Sequence, residues 1–81
     1  MISGRQSRMG RAALDWTTRD LAAKAGVGVN TVTRFERGDD TRAATEAAIR
    51  TALEAAGVVF IPENGGGPGV RLSLKGDNKD D

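Results

Sequence analysis

Apolar residues recur at helical intervals up to about residue 57 and at alternate positions near residue 70. This change of period predicts a set of short helices followed by a β-hairpin. Residues 3–14 (SGRQSRMGRAAL) open the series, with Ser3 placed as an N-cap. Met9, Ala12 and Ala13 are the expected apolar contacts, while Arg5, Arg8 and Arg11 recur every three residues. Gly10 weakens this helix. Asp15 and Trp16 form a short connection, and Trp16 is expected to plug the space between the first two helices. Thr17 and Asp20 have capping-box spacing, and the helix they start runs to about Ala25. Gly26 is suited to a left-handed C-cap. A third helix is expected from about Gly28 to Arg37, stopped by Gly38, with Asp39 to Ala43 as a polar link. Residues 44–56 (ATEAAIRTALEAA) form the Ala-rich fourth, with Ala48, Ile49, Ala52, Leu53 and Ala56 at helical spacing and Gly57 as its stop.

Beyond Gly57 the chemistry changes. Val58-Val59-Phe60-Ile61 is β-branched and aromatic, and Pro62 ends it or keeps it at a sheet edge. ENGGGPG (63–69) is a turn. It lacks the Lys-Ser/Thr ending and the following helix of a phosphate loop. Val70, Leu72 and Leu74 alternate with Arg71, Ser73 and Lys75, the signature of a half-buried strand. GDNKDD is expected to be a disordered tail.

At 81 residues the chain has room for one small core, and oligomerisation is a natural way to add to it. The absence of Cys and His excludes disulfides and the usual zinc sites. There is no nucleophile–base pair, and the acidic DNKDD lacks calcium-loop spacing, so the reading is not an enzyme and holds no metal, cofactor or evident small-molecule ligand. No apolar run approaches membrane length and no signal-peptide core is visible, so a soluble cytoplasmic protein is expected. The net charge of +1 is uneven: residues 1–50 carry nine Arg/Lys against six Asp/Glu, residues 51–81 three against five. Arginine dominates the basic part, which suits phosphate and guanine contacts.

The segment LAAKAGVGVNTVTRFERG (Leu21–Gly38) has a small residue at Ala22 where two helices would cross, Gly26 where positive φ is needed, Val27 as a plug, and apolar Leu21, Ala25, Val32 and Phe35. With its ending Glu36-Arg37-Gly38, it closely resembles the helix-turn-helix of the XRE family, the small regulators related to Cro and the phage repressors. The resemblance covers about residues 3–57. It implies a mainly α fold, a four-to-five-helix repressor-like domain (residues 1–57), here followed by a C-terminal hairpin (58–75) and the tail (76–81).

At about 100° per residue, Val32 and Phe35 set the buried side of the third helix and leave Asn30, Thr33, Arg34 and Arg37 opposite. In the family the start of this helix enters the major groove. Val29, Asn30, Thr33 and Arg34 are therefore the expected base contacts. Backbone contacts are expected from Thr17, Thr18, Gly28, Thr31, Arg37, Arg5 and Arg8. Gly28 stands where relatives often carry Ser or Thr, and has only its backbone to offer. The resemblance also implies a structural ion pair between Arg11 and Glu36.

Relatives often dimerise. The tail resembles the strand-forming tails of some small bacterial members, which makes Val58, Phe60, Ile61, Val70, Leu72 and Leu74 the expected dimer surface; the competing arrangement folds the hairpin onto its own helices. The implied function is a homodimeric transcriptional regulator on double-stranded DNA. It would bind an inverted repeat and repress by occupancy, with activation through contact with RNA polymerase, autoregulation and a mobile-element setting as further implications. The alternative is the antitoxin of a toxin–antitoxin pair using the same DNA module.

Overall fold

Helix α1 (Gly4–Leu14) begins with a reciprocal cap: Ser3 Oγ accepts from the Gln6 amide at 3.1 Å, and Gln6 Oε1 accepts from the Ser3 amide at 3.0 Å. Helix α2 (Thr18–Ala25) starts with the same device, made by Thr17 and Asp20. It ends at Gly26, whose φ of 72° lets the chain turn sharply into α3 (Val29–Arg37). Helix α4 (Ala43–Ala55) then leads into the antiparallel hairpin of β1 (Val58–Ile61) and β2 (Gly69–Leu72). The computed structural model describes residues 1–39 and 42–73. The expected strand residue Leu74, Lys75 and the tail 76–81 lie outside the described residues.

Leu21, Val32, Ile49 and Leu53 are fully buried at the centre, with Ile2, Ala22, Phe35 and Val58 around them. Trp16 and Val27 are half-buried against this core, and Lys24 Nζ lies 5.8 Å from the centre of the Trp16 ring. The inner face of α1 differs from expectation. Met9 is 37 % exposed and Ala12 and Ala13 are on the surface, whereas Gln6, Ser7 and Gly10 are buried. The reason is close packing. A Cβ on Gly10 would stand 3.3 Å from a Leu53 methyl, and one on Gly4 would stand 2.5 Å from the Phe35 carbonyl oxygen. This helix buries small and hydrogen-bonding residues because its neighbours leave no room for large apolar ones.

The hairpin lies on its own helices, against α1 and α4. Pairing Val58 with Leu72 and Phe60 with Val70 puts those four on one face; Val59, Ile61 and Arg71 are on the other. Val58 is 2 % exposed, and Phe60 and Val70 pack against the same core. Val58 therefore drops out of the expected dimer surface, because its own chain already covers it. Phe60 and Ile61 do not share a face either, as adjacent strand residues point opposite ways. Gln6 fastens the sheet: its Nε2 donates to the carbonyls of Ile61 at 3.2 Å and Gly69 at 3.1 Å.

Candidate nucleic-acid interface

Helix α3 is held from one side and open on the other. Val32 and Phe35 enter the core, and Glu36 turns towards α1 with only 6 % of its surface exposed. Four residues of α1 meet the Phe35–Glu36 turn. Gly4 lets the backbones touch. Ser7 Oγ donates to Glu36 Oε2 at 2.7 Å. Arg8 Nη1 donates to the Glu36 carbonyl. Arg11 grips the carboxylate with both arms of its fork, Nε to Oε2 at 2.8 Å and Nη2 to Oε1 at 2.7 Å, and donates from Nη1 to the Trp16 carbonyl at 3.2 Å. The hydrogen-bonded Glu36 carboxylate, helped by its charge, raises the Arg11 pKa above its ordinary value against the effect of burial. The guanidinium is thus charged throughout the working pH range. Glu36 is neutralised inside the fold and offers no repelling charge to an anionic partner.

On the open side, Asn30, Thr33, Arg34 and Arg37 are all exposed. They recur at intervals of three, one and three residues, which aligns them along one face of the helix. Thr33 donates its hydroxyl to the Val29 carbonyl at 3.1 Å, so its methyl and an oxygen lone pair remain for outside contacts. Val29 and Thr31 are only half-exposed, and Val29 packs partly on the core. The expected base readers are thus three open side chains and one that lies at the rim.

The expected backbone contacts fall into two groups. Thr17 and Thr18 start α2, where the hydroxyl of Thr17 accepts from the Asp20 amide at 3.0 Å. Arg5, Arg8 and Arg37 come together around an open notch of about 450 Å³ between the start of α1 and the end of α3, rimmed also by Gly38 and Pro68. Arg37 is engaged there by Asp39, with Nη2 2.6 Å and Nε 3.2 Å from Oδ2. Gly28 caps α3 through its backbone alone, with φ −74° and ψ 153°. Any L residue fits that conformation, and a Cβ there would meet only Thr31 Oγ1 at 3.7 Å. Gly28→Ser is expected to raise stability by about 0.5–1 kcal/mol, through a new hydroxyl cap and a less flexible unfolded chain. A urea melt followed by circular dichroism checks this; unchanged or lower stability would refute it.

Sequence reasoning passed over Gln6, Ser7, Gly4 and Asp39. Ser3 and Gln6 have capping-box spacing, a signal present in the sequence. Nothing in a single sequence marks Gly4 as a backbone crossing or pairs Ser7 with Glu36. Among the described residues no group of acidic side chains could hold a metal ion, and no helix is long and apolar enough to cross a membrane.

Residues 8–58 match the family model described as Helix-turn-helix. The matched span takes in most of α1, all of α2, α3 and α4, and the first residue of β1. No curated protein matches the sequence.

Proposed function

The chain belongs to the XRE family of helix-turn-helix regulators, the Cro/C1 type, and on that premise we propose that it binds a specific inverted-repeat operator as a homodimer and represses by occupying it. The observation that carries this reading is the open face of α3. Asn30, Thr33 and Arg34 stand on it at the solvent, while Val32, Phe35 and Glu36 fix the helix from behind. Arginine can give two hydrogen bonds to guanine, and asparagine can pair twice with adenine. Thr33, with its hydroxyl proton committed, reads a thymine through its methyl. Val29 contributes from the rim. The free amides at the start of α2, with Thr17, Thr18, Gly28, Thr31 and the arginines of the notch, take the phosphates. The cytoplasm, where such an operator would lie, is the compartment this function requires.

Dimerisation runs through the outer surface of the hairpin. Leu72, though 41 % exposed, lies on the core-facing side with Val58; Val59 is 37 % exposed and Ile61 half-exposed beside it on the outer face. A two-stranded sheet is marginal alone, and a second hairpin packed face to face on this surface would cover Val59 and Ile61. Two copies of α3 would then address half-sites about one helical turn, about 34–36 Å, apart.

Selecting sites from a random duplex pool at near-physiological salt tests the reading. A two-fold symmetric consensus is expected; the folded chain enriching no sequence would overturn specific readout. For the dimer, Val59→Glu combined with Ile61→Glu places like charges on the outer face and leaves the core cluster intact. The double variant is expected to remain helical and become monomeric by light scattering. A variant that stays dimeric would refute the hairpin interface.

A further inference from the structure

Asp39 is held where it is by the backbone. Gly38 takes φ 93°, its amide donates to the Phe35 carbonyl at 3.1 Å, and the Asp39 amide donates to the Arg34 carbonyl at 3.0 Å. This closing turn of α3 brings the Asp39 carboxylate against the Arg37 guanidinium. Arg37 lies on the same helix face as Asn30, Thr33 and Arg34, with its side chain 62 % exposed. A carboxylate oxygen gripped by a guanidinium has the charge and the hydrogen-bond geometry of a phosphate oxygen in the same grip. The hydrogen bond from Arg37 holds the Asp39 carboxyl below its ordinary range; burial opposes it, and the charges of Arg37 and Arg34 add smaller contributions in the lowering direction. The carboxylate is therefore ionised under any condition in which DNA binding is measured.

We propose that Asp39 is an internal competitor for DNA phosphate at Arg37, and that it sets how tightly the protein holds DNA of any sequence. The proposal rests on the reading that this face of α3 meets DNA. A phosphate reaches the Nε–Nη2 edge of Arg37 only after the ion pair opens, and the released carboxylate then stands beside the DNA backbone. Both effects weaken binding without reference to base sequence, because phosphates carry no sequence information.

The test is a double-mutant cycle on the full chain with Asp39→Asn, Arg37→Ala and the combination, each checked for folding by circular dichroism. Anisotropy titrations use the duplex selected from the pool and an unrelated duplex over a range of salt. Asp39→Asn is expected to tighten binding to both duplexes by about two- to fivefold. Its salt dependence should steepen by about 0.9 in the logarithmic slope, the value for one further phosphate contact. In the Arg37→Ala background the gain should shrink to what the bare carboxylate charge contributes. Asp39→Ala, which also removes the residual acceptor, should behave as Asp39→Asn does. A gain of equal size without Arg37 would make Asp39 a simple repelling surface charge and overturn the proposal, as would no gain at all. Failure of the underlying reading looks different: the folded wild-type chain would bind neither duplex even at low salt.

Discussion

Arg11→Ala is expected to cost about 3 kcal/mol of folding stability, the lower end of the range for breaking a buried ion pair. The lower end applies because the Arg11 side chain keeps 19 % of its surface exposed, whereas that of Glu36 keeps 5 %. Truncation removes both arms of the fork and the bond to the Trp16 carbonyl. The carboxylate is then left inside the fold with the Ser7 hydroxyl as its remaining side-chain donor. For a chain of 81 residues, total stability is about 4–12 kcal/mol, so the loss is a large share of it. Arg11→Lys should fall between, since an ammonium keeps the charge but cannot make the paired bonds. Replacing both partners by apolar residues of similar size should recover much of the loss, because no charge is then stranded. Urea melts followed by circular dichroism give the three values. A loss under about 1 kcal/mol for Arg11→Ala would mean that water reaches Glu36 and that the pair is not what fixes α3.

Gly4→Ala is expected to cost about 3 kcal/mol, the upper end of the range for overpacking. The added methyl would lie 2.5 and 2.7 Å from the carbonyl oxygens of Phe35 and Glu36 and 2.8 Å from the Glu36 Cα. These are backbone atoms, so relief requires one helix to move off the other. That movement would stretch the bonds from Ser7, Arg8 and Arg11 to the same turn. It would also tilt the face carrying Asn30 and Arg34, so DNA affinity should fall even where the protein remains folded. Gly10→Ala is the internal comparison. Its methyl would meet Leu53 methyls at 3.3 and 3.4 Å and a Val58 methyl at 3.5 Å, all on side chains that can adjust. The better helix propensity of Ala offsets that contact, so its net change should be small. Equal effects at the two glycines would show that the α1–α3 crossing is not the special one.

The elements were legible because their signals are local. Thr17 and Asp20 form their cap, Gly26 and Gly38 take left-handed conformations, and VVFI is a strand with the expected ends. The open face of α3 was legible from the angular positions of Val32 and Phe35. The inner face of α1 was not. A hydrophobic pattern assumes that burial selects apolar side chains, but the selection there is for small size at Gly4 and Gly10 and for hydrogen bonding at Gln6 and Ser7. Their partners are distant in sequence, and no local pattern contains them. The placement of Val58 was not legible for a related reason. Val58 satisfies a strand pattern whether it faces its own helices or a second chain, and the choice is made by Leu53 and Gly10 beneath it. Arg37 looks like a free cation in the sequence, although Asp39 two positions on is its partner.

The two hydrogen bonds from Gln6 to the hairpin have a consequence in time. The acceptors are 55 and 63 residues further along the chain, and the Ile2 amide, which donates to buried Glu46, waits 44 residues for its partner. At translation rates of about 5–20 residues per second, Gly69 follows Gln6 by about 3–13 s. Through that interval α1 can meet the Phe35–Glu36 turn but not the hairpin that fastens its start. A chain synthesised only as far as α3 therefore carries Asn30, Thr33 and Arg34 before the fold that seats them is complete. The last long-range bonds of α1 form when the hairpin closes over it.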